Sequence, residues 1–226
     1  MTAFQRARSE EQREVRRRAI LDTTATMLDT MPVSEISLNE LSRRTGLAKS
    51  NVLRYFESRE AILLELFGQA CKQWLAELAE RLRADIDPSD PVATRGDRLA
   101  GTLARSLSGH RVLCDLLAAQ AAVLEHNVSP EAAARHKRAA HADLTALAEL
   151  IRLHVPELGD DGAWKASATT VLFTGALWPH TQPAPSMLAA YASDPALAAM
   201  RMDFCPTLED ALATQFAGLL ARTRQA

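Results

Sequence analysis

The chain has 226 residues, 47% of them hydrophobic and 24% charged, with a formal net charge of −2 at pH 7. That length suffices for one large domain or two modest ones with a sizeable core, and the charge excludes any bulk signature of nucleic-acid binding. Residues 1–60 hold 11 Lys/Arg against 9 Asp/Glu, leaving 15 against 19 for the remainder, so affinity for a polyanion has to come from local placement.

Cys71, Cys114 and Cys205 are far apart and odd in number, which argues against a disulfide framework and fits a reducing compartment. No apolar run approaches the roughly 18 residues that span a bilayer, and the N-terminus has no hydrophobic signal core. A cytoplasmic location is expected.

Residues 1 to about 9, with Arg6 and Arg8, read as a loose basic terminus, either an arm for a phosphate or minor groove or, by preference, simple disorder. A first helix is expected from about Ser9 to Met31. Ile20, Thr24, Met27, Leu28 and Met31 form its apolar face, and Arg13, Arg16 and Arg17 a solvated one. Pro32 ends it. Ser37 followed by Glu40 predicts a capping box, the hydroxyl accepting from the Glu40 amide and the carboxylate reaching back to the Ser37 amide. The helix from Leu38 should stop at Gly46, and another should begin near Ala48. Leu38, Leu41, Leu47, Val52 and Phe56 are spaced to face inward. Arg43, Arg44, Lys49, Ser50, Asn51, Arg54 and Tyr55 point out. These are the cues of a helix-turn-helix, and also of an ordinary helical hairpin with a solvated face; pattern alone leaves both open.

Ser58 caps a long helix that runs to about Asp85, on the order of 40 Å, the only covalent rod expected between the hairpin and the rest of the chain. Its first amides, near Ser58 and Arg59, are placed to receive a phosphate. Beyond Pro88 helices are expected at about 91–108, 110–125, 130–155, 160–178, 186–192 and 207–222. The chain reads as all-α with about nine to ten helices: a three-helix domain over residues 1–60 and a larger helical domain over 61–226.

The stretch from Arg17 to Phe67 resembles the N-terminal domain of the TetR family of bacterial transcriptional repressors. The matching residues are Ser37, Leu41, Ser42, Thr45, Gly46, Leu47, Ala48, Lys49, Leu53, Tyr55, Phe56, Ser58, Arg59, Glu60, Ile62 and Leu63. At Leu53 many members carry a tyrosine that touches DNA, and that contact does not transfer. The resemblance implies a repressor that binds a double-stranded, palindromic operator. Lys49, Ser50 and Asn51 would reach base edges, with Asn51 bidentate to an adenine. Ser37, Arg43, Arg44, Arg54, Tyr55 and Arg59 would hold phosphates.

The resemblance further implies a homodimer through the last two long helices, where Ala168, Gly175, Ala176, Ala211, Ala213, Ala217 and Gly218 stand beside large apolar residues. It also implies an effector pocket for a small, mostly hydrophobic molecule in the C-terminal domain. Candidates there are Trp74, Leu78, Leu107, His110, Leu113, Cys114, Leu117, Gln120, His141, Leu144, Phe173 and Trp178, each of which taken singly reads as core ahead of ligand contact, with Gln120 and His141 the polar groups that would orient a ligand. His136 and His141 diverge on a helix and no cysteine joins them, so neither a metal nor a cofactor is expected. No G-x-S-x-G, H-E-x-x-H or P-loop is present, and an enzyme is not expected.

Overall fold

A computed structural model describes the backbone of residues 3–223, with side chains from residue 10 onward. Eleven α-helices and no strand occur among the described residues: α1 Ala3–Leu28, α2 Leu38–Thr45, α3 Lys49–Val52, α4 Arg59–Asp85, α5 Val92–Ser108, α6 Arg111–Ala119, α7 Pro130–His154, α8 Gly159–Leu177, α9 Pro185–Ser193, α10 Pro195–Ala198 and α11 Phe204–Thr223. The all-α class follows from the 3.6-residue periodicity of the apolar positions.

Some boundaries differ from expectation for local reasons. The backbone is helical from Ala3, because no glycine or proline interrupts the run of strong helix formers before Leu28. The expected loose terminus is therefore corrected, while the side chains of Arg6 and Arg8 lie outside the described residues. α6 ends at Ala119 and gives way to a π-helical turn, Gln120–Leu124, rather than continuing to Glu125. The four-residue α10 was not anticipated. α11 begins at Phe204, with Pro206 in its first turn, where a missing N–H is tolerated.

The chain packs as two compact units. The first comprises Met1–Gln69 and Ala119–Lys137, the second Ala70–Ala118 and Arg138–Ala226. The chain therefore passes from one to the other at three places. The expectation that α4 alone makes the covalent connection is corrected, as is a simple division at residue 60.

In the first unit α1 packs on α2, and α2 on α3. Ile20, Thr24, Met27 and Leu28 of α1 are buried, with Leu41, Val52, Phe56, Ile62 and Leu63. Each large aliphatic side chain so buried contributes on the order of 2 kcal/mol. Residues 119–137 join this unit through Ser129, whose amide and hydroxyl both donate to the Glu57 carboxylate at 2.8 Å, and through the His136 ring, 5.7 Å from that of Phe67.

In the second unit α11 packs along α5 and against α8. Leu99, Leu103, Leu208, Leu212 and Phe216 fill the seam, and small residues such as Gly96, Ala100 and Ala104 admit the neighbouring helix. Buried Arg95 donates to the carbonyl of His154 at 2.8 Å and pairs with Glu157, tying α5 to the end of α7.

Candidate nucleic-acid interface

The hairpin is held by short-range bonds that the sequence encodes. Ser37 caps α2, its hydroxyl accepting from the Glu40 amide at 3.1 Å. Gly46 ends α2 at φ +66°, the left-handed conformation that glycine adopts without penalty. The Ser42 hydroxyl donates to the Leu47 carbonyl at 2.5 Å and that of Thr45 to the Leu41 carbonyl at 2.7 Å, which fixes the turn. Regular α-helix in α3 spans only four residues. The chain then tightens, with the Tyr55 amide donating to the Val52 carbonyl at 3.0 Å. Val52 and Phe56 anchor this element inward and leave Lys49, Ser50, Asn51 and Arg54 exposed, with Tyr55 half-buried. Leu53 is 40% exposed, an aliphatic side chain on an otherwise polar face.

The basic residues divide into paired and unpaired groups. The Glu40 carboxylate does not reach back to Ser37. Instead it takes Arg43 Nε at 2.9 Å and Arg44 Nε at 2.8 Å. Those bonds, Arg43 first, pull its pKa down to about 2. Arg43 and Arg44 so enter the face already oriented, and a guanidinium still presents free N–H groups after one pair is made. Arg59 turns inward to the Val33 carbonyl, with Glu60 at 3.3 Å, and its side chain is 18% exposed. The expected phosphate clamp at Arg59 is thus a brace between the segment before α2 and the start of α4.

Arg17, expected on a solvated face, is corrected as well. It donates to the Tyr55 carbonyl at 3.0 Å, pairs with Glu65, and lies 4.2 Å over the Phe56 ring. The signal was available, since Arg17 precedes Ile20 by three residues and Thr24 by seven, on the apolar stripe itself.

A family model described as "Tetracyclin repressor-like, C-terminal domain" matches residues 69–223. The chain belongs to the TetR family. Its described residues place a short helical hairpin of helix-turn-helix form ahead of the helices that the family model matches. The HTH-type transcriptional regulator EthR of Mycobacterium tuberculosis is 33% identical over 72 residues, which are 32% of this chain and 32% of EthR. EthR of Mycobacterium bovis matches to the same extent. The match thus spans about a third of the length of these curated relatives. A crystal structure from Shewanella sp. PV-4, described as a tetR family transcription regulator, is 15% identical, with TM-score 0.47 over 89% of this chain and 95% of that one.

The residues of this TetR-family chain expected to line an effector pocket scatter in environment. Gln120 belongs to the first unit and the other eleven to the second. Gln120 Nε2 lies 2.8 Å from Glu125 Oε1 and 3.0 Å from His136 Nε2. Trp74, His110 and Cys114 gather about Ser106 and Leu107: Trp74 Nε1 donates to the Ser106 hydroxyl at 3.1 Å, His110 Nδ1 lies 2.8 Å from the Ser106 carbonyl, and the Cys114 thiol donates to the Leu107 carbonyl at 3.3 Å. Burial pushes the Cys114 thiol up to about 12, so it is protonated and unreactive. Leu78, Leu107 and Leu113 are buried beside them in sequence, whereas Leu117 and Leu144 are half-buried. Trp178 donates to Asp115 at 2.6 Å and meets Phe204 edge to face.

His141 and Phe173 depart from expectation, being exposed; His141 leans on Trp164 with ring centroids 5.4 Å apart. α8 also exposes Leu172, and α11 exposes Ala217 and Gly218. No described helix is long and apolar enough to cross a membrane, and no three His, Cys, Asp or Glu side chains among the described residues are grouped to hold a metal ion.

Proposed function

We infer that this regulator acts in the cytoplasm as a homodimeric repressor, binding a palindromic operator through α3 and released by a small, mostly hydrophobic effector. The observation that carries the reading is the exposed run Lys49–Ser50–Asn51 at the leading end of α3, on a hairpin whose cap and turn are fixed by the Ser37, Ser42 and Thr45 hydroxyls. Lys49, Ser50 and Asn51 read base edges; Ser37, Arg43, Arg44, Arg54 and Tyr55 hold phosphates, which sets register. Arg59 supports them from behind. Dimerisation uses the exposed Trp164, Leu172 and Phe173 of α8 with the small residues of α11, and two hairpins about 34–36 Å apart match successive turns of one duplex face. No enzymatic role is assigned.

The effector is proposed to enter the cluster about Ser106, where Trp74, His110 and Cys114 supply a few polar atoms among aliphatic side chains. It shifts the regulator only by its differential affinity for the free and DNA-bound conformations. A second reading, control by a protein partner without a small ligand, is favoured by the near-complete burial of Trp74, Leu78, Leu107 and Leu113. The test is a footprint of the full-length protein on DNA flanking its own gene, followed by titration with lipophilic compounds. Protection of a palindrome that is lost with one of them supports the effector. Protection unaffected by any of them leaves the partner reading, and no protection contradicts the repressor.

A further inference from the structure

We propose that α1 carries a second DNA-contacting surface, a phosphate-binding groove that extends the operator footprint beyond the recognition helix. An open groove of about 890 Å³ lies within the first unit, lined from α1 by Glu11, Arg13, Val15 and Arg16 and from the recognition element by Arg54 and Tyr55. This rests on the reading that α3 binds DNA, and it assigns new residues to that contact.

Around the hairpin Arg17, Arg43, Arg44 and Arg59 all have carboxylate partners. Arg13, Arg16 and Arg54 are exposed and form no ion pair among the described residues, although Glu10, Glu11 and Glu14 stand close in sequence. Three uncompensated guanidinium groups thus share one concave surface with a single carboxylate, Glu11. Such an arrangement is self-repelling and is relieved by a polyanion. The groove begins at Arg54 and Tyr55, three and four residues beyond Asn51 of the base-reading run, so an anion continuous with the duplex suits it better than an isolated one. Its open volume, and the exposed aliphatic Val15 on its wall, suit a sugar-phosphate backbone. Arg17, fixed to the Tyr55 carbonyl, holds α1 and the recognition element in register, so the groove is built rather than incidental.

The test compares the full-length wild type with Arg13→Ala/Arg16→Ala and Arg13→Lys/Arg16→Lys on a duplex recovered by selection from a random-sequence library with the wild type. Each phosphate contact contributes about 0.9 to the slope of log affinity against log salt. The alanine pair should flatten that slope by about 2 and weaken binding on the order of ten-fold at physiological salt, with the ranking of operator variants unchanged. Ethylation interference should disappear at the outermost phosphates, and the lysine pair should restore most of the slope. An alanine pair with wild-type slope and outer contacts overturns the groove while leaving α3 recognition standing. Failure to recover any duplex, or a wild-type affinity indifferent to salt, overturns both.

Discussion

At the scale of single residues the first unit is governed by which arginines are already paired. Arg17 and Arg59 bind backbone carbonyls from half-buried positions, where a guanidinium satisfies an acceptor that would otherwise be desolvated. Arg43 and Arg44 share Glu40 on an exposed face, and exposed pairs are weak enough to exchange for a phosphate. Glu40 therefore predicts an acid dependence of defined sign. Its folded-state pKa of about 2 lies below the ordinary 4.5. The stabilisation is complete above about 4.5 and fades as pH falls through 2. Side-chain NMR should place the Glu40 titration near 2, with Arg43 and Arg44 gaining mobility as it protonates. A midpoint near 4.5 would contradict the clamp.

At the scale of elements two glycines set how helices stop and start. Gly46 sits at φ +66°, ψ +15°, in the left-handed helical region, with open space where a Cβ would go. Gly159 has the same φ but ψ −178°, a region essentially closed to other residues. Gly46→Ala should destabilise by about 1 kcal/mol and Gly159→Ala by about 2 to 3 kcal/mol. Equal costs in urea unfolding would contradict this assignment. Elements of this kind were legible in advance: Pro32, Ser37, Gly46 and Ser58 mark ends by local chemistry. Glu40 misled, because a carboxylate three residues after a serine also faces arginines three and four residues further on, and charge won over the reciprocal cap.

At the scale of the whole molecule the family was legible from the joint spacing of residues 37–63, and the match over residues 69–223 extends it to the C-terminal domain. What escaped was non-local. Nothing near Ser129 announces that it will bind Glu57, 72 residues away, or that residues 119–137 pack with the hairpin unit. The pocket was the least legible part, because a buried tryptophan or leucine has the same sequence signature in a core as around a ligand. The exposure of His141 and Phe173 shows how little helical spacing alone reveals about which neighbour covers a face.

The central claim, that α3 reads sequence through its leading end, is tested most directly by Asn51→Ala. Binding should be measured against a set of duplexes in which each operator position is varied in turn. The expected result is a loss of about 1 to 3 kcal/mol confined to one adenine position, with the salt slope unchanged. Unaltered affinity and unaltered preference at every position would contradict it.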